Sequence, residues 1–144
     1  MKDLRLEQQL CFAIYSASHA FTRFYKPLLA ELGVTYPQYL ALLILWEEDG
    51  ISVTAIGDRL LLDSGTLTPV LKRLEALGLV SRSRSTADER QVLIRLTERG
   101  QALRRVAEGF GPKILDASGC SAQDLDTLRR TLLGLRDSFG RAAA

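Results

Sequence analysis

The sequence is poor in the residues that build specialised scaffolds. Its 144 residues include two cysteines, four prolines and one histidine. Two cysteines make no disulfide framework, and Cys11 and Cys120 are too far apart for zinc-ligand or CxxC redox spacing. Four prolines and eleven glycines are too few for a collagen or a low-complexity chain. His19, alone of its kind, has no companions for a metal site or a Cys–His catalytic pair. It is read as structural or exposed. No glycine-rich phosphate loop and no paired-carboxylate constellation is visible, so no metal and no cofactor is expected. Long apolar runs are absent as well. The longest uncharged stretches, 8–22 and 32–46, hold 15 residues each and include polar residues or proline, which makes a poor membrane span. No membrane partner is expected. Nothing near the start resembles a secretory leader, so the expected location is cytoplasmic.

What is present is an ordinary globular composition, 47% apolar and 25% charged. The net charge of +2 hides an uneven distribution. Residues 1–50 carry 4 basic and 6 acidic side chains, residues 51–105 carry 10 and 6, and residues 106–144 carry 5 and 5. Eight of the ten aromatic residues lie between Phe12 and Trp46, and none lies between Glu47 and Gly109. An acidic, aromatic first third thus precedes a basic, aromatic-free middle.

Periodicity divides the chain into helices and one hairpin. Leu10, Ile14, Ala17, Phe21, Phe24 and Leu28 form an apolar stripe at steps of three and four, with Pro27 as a candidate kink and Gly33 as the stop. Such a stripe suits an ordinary core helix or one that packs on a second subunit. Thr35-Tyr36-Pro37 opens a nearly all-apolar helix that ends by Gly50. Ser52 caps a short helix over 53–60, and Asp63 caps another that Gly78 terminates. In the latter, Leu67, Val70 or Leu71, Leu74 and Leu77 face inward, while Ser64, Thr66, Thr68, Lys72 and Arg73 face outward. Residues 79–84 and 91–96 read as two strands around a polar tip. Thr97 caps a fifth helix, interrupted by Gly109, Gly111 and Pro112, and a last helix runs from Ser121 to about Phe139.

A short helix, a tight turn, a second helix with an exposed hydroxyl and cationic face, and a basic hairpin make a winged helix-turn-helix pattern. The fold class expected is mainly α with a small β-hairpin wing. A helix fits the major groove of DNA, where hydroxyls and cations meet base edges. Cations on a hairpin reach phosphates or the minor groove. Ser64, Thr66, Thr68, Lys72, Arg73, Arg84, Asp88 and Arg90 are therefore candidate DNA-binding residues, with Arg90 at the tip best placed for the minor groove. A merely solvated charged hairpin is the alternative.

Asp88-Glu89-Arg90, then Val92-Leu93-Ile94 and Leu96-Thr97-Glu98-Arg99-Gly100, resembles the wing signature of MarR-type transcriptional regulators. The resemblance spans nearly the whole chain. It implies a homodimer on a pseudo-palindromic double-stranded DNA operator. Helical arms at about 1–33 and 112–144 would dimerise and flank a DNA-binding head at about 34–105. It also implies that Asp88 orients the wing and that Arg90 enters the minor groove.

Leu10-Cys11-Phe12-Ala13, Tyr25, Thr35-Tyr36-Pro37-Gln38-Tyr39 and residues 62–69 are similar to the organic-hydroperoxide-sensing, OhrR-type branch of that family. By that resemblance Cys11 is the peroxide sensor and the hydroxyls of Tyr25 and Tyr36 hydrogen-bond to it. Cys120 resembles the resolving cysteine of two-Cys members, which pairs with the sensor cysteine of the other subunit. Phe12 and Phe21 would line a pocket that favours an organic hydroperoxide. Cys11 as a small buried hydrophobe and Cys120 as an unused surface thiol are the plain alternatives. Geometry adds an independent point. Fourteen residues of helix place Cys11 and Tyr25 about 21 Å apart along the axis, so contact needs a partner subunit. Rival readings are a MarR-type repressor of small phenolic or lipophilic ligands, a transcriptional activator, and a thiol peroxidase with Cys11 as nucleophile.

Overall fold

The computed structural model describes residues 2–144, mostly helical with one small antiparallel sheet. The chain forms two compact units, one up to Val106 and one over Ala107–Ala144.

In the first unit, α1 (Leu10–Leu32) runs unbroken through Pro27. It stops at Gly33, whose left-handed φ of 72° lets its N–H reach the carbonyls of Leu29 and Ala30. Only the C-terminal part of α1 is buried, through Tyr25, Leu28, Leu29 and Leu32. Leu10, Ile14 and Phe21 of the apolar stripe stay exposed.

The next helix, α2 (Tyr36–Glu47), begins with a capping box. The Thr35 hydroxyl accepts from the Gln38 N–H, and the Gln38 side chain accepts from the Thr35 N–H. Because α2 is apolar on every side, it forms the centre of the unit, with Ala41, Leu42 and Leu45 sealed from solvent. The Trp46 indole donates to the Gly100 carbonyl at 2.9 Å, which pins α2 to the helix after the wing.

Two capped helices follow, α3 (Val53–Leu60) and α4 (Ser64–Ala76). Leu67, Leu71 and Leu74 are the buried stripe of α4. Leu77 is not part of it. The helix ends at Ala76, Gly78 reverses the chain with φ 74°, and Leu77 is left 40% exposed at the rim. The sheet contains β1 (Ile51–Ser52), β2 (Val80–Arg84) and β3 (Val92–Leu96) in the order β1-β3-β2. The hairpin β2–β3 was anticipated, with Arg82 opposite Ile94. Strand β1 was not, because two residues are too few to show alternation. Helix α5 (Glu98–Glu108) follows the hairpin.

The second unit holds α6 (Phe110–Ser118) and α7 (Ala122–Ala143). The interruption expected over Gly109, Gly111 and Pro112 falls at Gly109 alone. Pro112 sits in the first turn of α6, where its missing N–H costs nothing. Helix α7 passes the expected end at Phe139 and buries none of its residues. Leu128, Leu132 and Phe139 stand out from it, exposed by 52, 42 and 63%.

The Asp63 cap has a pH signature. Its carboxylate accepts from the Thr66 N–H at 2.7 Å, and this bond holds its pKa below the usual carboxylate value. A lowered folded-state pKa contributes stability that is complete above the unfolded value of about 3.9 and is lost as pH falls through the folded value. Asp63→Ala is therefore expected to lower the melting temperature at pH 7, and the gap to the native protein should close in strong acid. Thermal melts across pH check this; a gap independent of pH contradicts it.

Candidate functional site

Two candidate sites emerge, one on the head and one along α1. On the head, α3, α4 and the wing enclose a cleft of about 250 Å³ lined by Ser64, Thr68, Arg82, Arg90 and Gln91 among others. Ser64 and Thr68, one turn apart on α4, thus share one surface with the sequence-distant Arg90. Thr66 and Lys72 are exposed on the same helix. Arg73 is exposed but stands apart, on a groove with Ala30, Gly33, Val34 and Gln38 beside the α1–α2 turn.

The wing tip is internally braced. Ser85 is buried, and its hydroxyl accepts from the N–H groups of Ala87 and Asp88. Its own N–H bonds to the Gln91 carbonyl at 2.9 Å. Arg84 spends a guanidinium N–H on the Glu89 carbonyl at 2.8 Å. Asp88 accepts from both the backbone N–H and the Nε of Arg90, at 3.1 and 3.3 Å. The Arg90 side chain is 90% exposed even so, held by its base with its end in solvent. Arg82 pairs with Glu75 at 3.2 Å and ties the wing to α4. Ser85, Arg82 and Gln91 were not among the expected site residues. For Ser85 a signal existed: Ser-Thr-Ala-Asp is a local hydroxyl-turn pattern.

Along α1 the expected sensor residues separate into two groups. Cys11 is exposed, with a free thiol in the first turn. That removes the reading of Cys11 as a small buried hydrophobe within its own subunit. Phe12 beside it is also exposed, and so is His19, whose ring lies 4.4 Å from that of Tyr15. The second group sits where α1 meets α2. Tyr25 is buried, the Phe21 ring lies 5.0 Å from it, and the Tyr36 ring meets it edge-on at 5.4 Å. Phe12 and Cys11 therefore lie away from the tyrosines of their own subunit, while Phe21, Tyr25 and Tyr36 come together. α1 is continuous between Cys11 and Tyr25, so the helical rise keeps them about 21 Å apart along the axis.

Burial pushes the phenol pKa values of Tyr25 and Tyr36 up, and the neighbouring Tyr39 and Tyr36 push Tyr25 further. Both hydroxyls keep their protons far into alkali and stay available as hydrogen-bond donors. Cys120 is exposed and free between α6 and α7, just after Gly119. Its N–H bonds to the Ser118 hydroxyl at 3.1 Å, and its thiol makes a long contact with the Ser118 carbonyl.

Among the described residues no single helix is long and apolar enough to cross a membrane. Residues 23–105 match the family described as transcriptional regulator SarA/Rot. The organic hydroperoxide resistance transcriptional regulator of Bacillus subtilis is 50% identical over 136 residues, covering 94% of this chain and 92% of that protein. Two solved structures of AbfR, a protein of Staphylococcus epidermidis, are also similar. The reduced, DNA-bound form superposes with a TM-score of 0.82 at 38% identity over the whole of both chains. The disulfide form gives 0.65 at 44% identity, over 92% of this chain and 93% of that one. With a family match over residues 23–105, a half-identical relative over nearly its full length and a winged-helix architecture, this chain belongs to the SarA/Rot-type, MarR-family winged-helix transcriptional regulators.

Proposed function

We propose that the protein is a cytoplasmic, homodimeric, DNA-binding repressor that senses organic hydroperoxides through Cys11. The observation that carries this reading is an exposed, unpaired Cys11 on an uncovered apolar helix face, with a buried tyrosine cluster two-thirds of a long helix away. An antiparallel crossing of two α1 helices would bring Cys11 of one subunit to Tyr25 and Tyr36 of the other. The same crossing would cover Leu10, Ile14 and Phe21; the exposed Leu128, Leu132 and Phe139 of α7 offer a further apolar face for a partner subunit. The similarity to a hydroperoxide resistance regulator and to a protein with reduced DNA-bound and disulfide forms supports the assignment.

In the reduced dimer the two α4 helices would enter successive major grooves. Ser64, Thr66, Thr68 and Lys72 would face base edges, and Arg90 on each wing would reach the minor groove. Arg84 on the wing would make a supporting phosphate contact, whereas Arg73, on the separate groove beside the α1–α2 turn, would lie outside the cleft of the head. The Cys11 thiolate attacks the terminal oxygen of the hydroperoxide, the O–O bond breaks, and the alkoxide leaves and takes up a proton to become an alcohol. Sulfur loses two electrons and becomes a sulfenic acid, and the peroxide is reduced by two. Phe12 and Phe21 supply apolar surface for the organic group. The Cys120 thiol of the partner subunit then attacks the sulfenic sulfur, releasing water and leaving a disulfide. A disulfide requires Cα atoms within about 7 Å, so its formation moves α1 and α7 and alters the spacing of the heads. Each Cys11 reduces one peroxide and then stays locked in the disulfide until a thiol reductant reopens it.

A gel-shift titration with operator DNA tests the reading. Reduced protein should bind, cumene hydroperoxide should release it, and a thiol reductant should restore binding. Complexes that ignore the peroxide and respond equally to a phenolic ligand would move the assignment to a ligand-binding repressor. On non-reducing gels, peroxide should convert the native protein to a covalent dimer. A Cys120→Ser protein that still forms it excludes Cys120 as the resolving residue.

A further inference from the structure

A third phenol, Tyr39, lies directly behind the two already placed in the sensor. Its ring is 5.9 Å from that of Tyr25 and 6.2 Å from that of Tyr36. It is buried, at 6% exposure, on a helix whose surroundings are otherwise apolar. On its far side it packs against Trp46 at 6.3 Å, and Trp46 is fixed by its bond to Gly100. Tyr39 is therefore held in place. A phenol O–H in such an environment is costly unless it is used, and a phenylalanine would fill the same space.

The hydroxyls of Tyr25 and Tyr39 are hydrogen-bonded to each other. A hydroxyl both donates and accepts, and it rotates. Once a thiolate is presented to Tyr25, the Tyr25 proton turns to sulfur. The Tyr25 oxygen then accepts from Tyr39. In a chain of hydroxyls aligned in one direction, each bond polarises the next, so the bond to sulfur strengthens.

We propose that Tyr39 is a positioning residue of the sensor, a third phenol whose hydroxyl backs Tyr25 as it donates to the thiolate of Cys11 of the partner subunit. This rests on the reading of Cys11 and Tyr25 as an intersubunit site. It extends that reading from two phenols to a connected set of three, seated on the Trp46–Gly100 link to the head.

The test is the rate of Cys11 oxidation by cumene hydroperoxide in the full-length dimer, followed across pH by mass spectrometry. It compares the native protein with Tyr25→Phe, Tyr39→Phe and the double variant. Tyr39→Phe keeps the ring and its packing on Trp46, and circular dichroism verifies the fold. The expected result is oxidation about fivefold slower in Tyr39→Phe, with the rate–pH profile displaced to higher pH. Tyr39→Phe should add nothing in the Tyr25→Phe background, because it acts through Tyr25. A Tyr39→Phe protein as fast as native, while Tyr25→Phe is slow, overturns the proposal and leaves the two-tyrosine site standing. Equal slowing by Tyr39→Phe in both backgrounds assigns the effect to packing and also overturns it. If Tyr25→Phe itself is as fast as native, the sensor reading fails first.

Discussion

A Cys11→Ser protein is expected to stay on its operator DNA at cumene hydroperoxide concentrations that release the native dimer completely. The effect is a total loss of response, because only sulfur can take the oxygen. A serine hydroxyl matches the thiol in shape but is neither ionised near neutrality nor oxidised by a peroxide. Cys11 is exposed in the first turn of α1 and supports no packing within its subunit. The substitution should leave the fold and the operator affinity of the reduced protein intact, so the lost response reads the chemistry alone. A gel shift run with and without peroxide decides it, and release of the Cys11→Ser protein at the native concentration removes Cys11 from the mechanism.

The second large effect is on stability. Gly100→Ala is expected to lose about 3 kcal/mol, with a melting temperature about 10 °C lower. A Cβ at Gly100 would collide with the backbone carbonyl of Leu79 and lie 3.1 Å from Leu96 Cδ2. The Leu79 carbonyl cannot retreat freely. The Leu79 carbonyl accepts from the Thr97 N–H at 3.0 Å, and the Thr97 hydroxyl donates to the Gly78 carbonyl at 2.6 Å. The Gly100 N–H returns to the Thr97 hydroxyl at 3.2 Å, and its carbonyl takes the Trp46 indole. The segment Leu96-Thr97-Glu98-Arg99-Gly100 therefore works as a clasp between the wing, α4 and α2. Arg99 adds a bond to the Leu77 carbonyl at 3.1 Å. Differential scanning calorimetry measures the loss. A Gly100→Ala protein as stable as native would show that the backbone at Leu79 can yield.

These contacts show where sequence reasoning reached and where it stopped. Ser52, Asp63 and Ser121 were readable as caps, because a cap is a local bond within three residues. Gly33 and Gly78 were readable as stops for the same kind of reason. Strand β1 was not, since Ile51 pairs with Ile94, 43 residues on, and has no periodicity of its own. The exposure of Leu10, Ile14 and Phe21 was not readable either. A stripe at helical spacing says that a face is apolar, not which chain covers it. Tyr39 escaped the expected site because α2 is apolar all round and shows no preferred face. Its pairing with Tyr25 depends on how α1 and α2 pack. The separation of Cys11 from Tyr25 was legible, because helical rise alone fixes it.

The central claim, that the sensor is assembled from two subunits, is tested most directly by a mixed dimer. One chain carries Cys11→Ser and the other carries Tyr25→Phe with Tyr36→Phe, purified as the heterodimer through two different tags. In an intersubunit site the surviving Cys11 faces the intact tyrosines of the Cys11→Ser chain. It should be oxidised by cumene hydroperoxide at the native rate, well above the rate of the Tyr25→Phe, Tyr36→Phe homodimer. Oxidation at the slow rate of that homodimer would mean that each Cys11 depends on the tyrosines of its own chain, and would contradict the account.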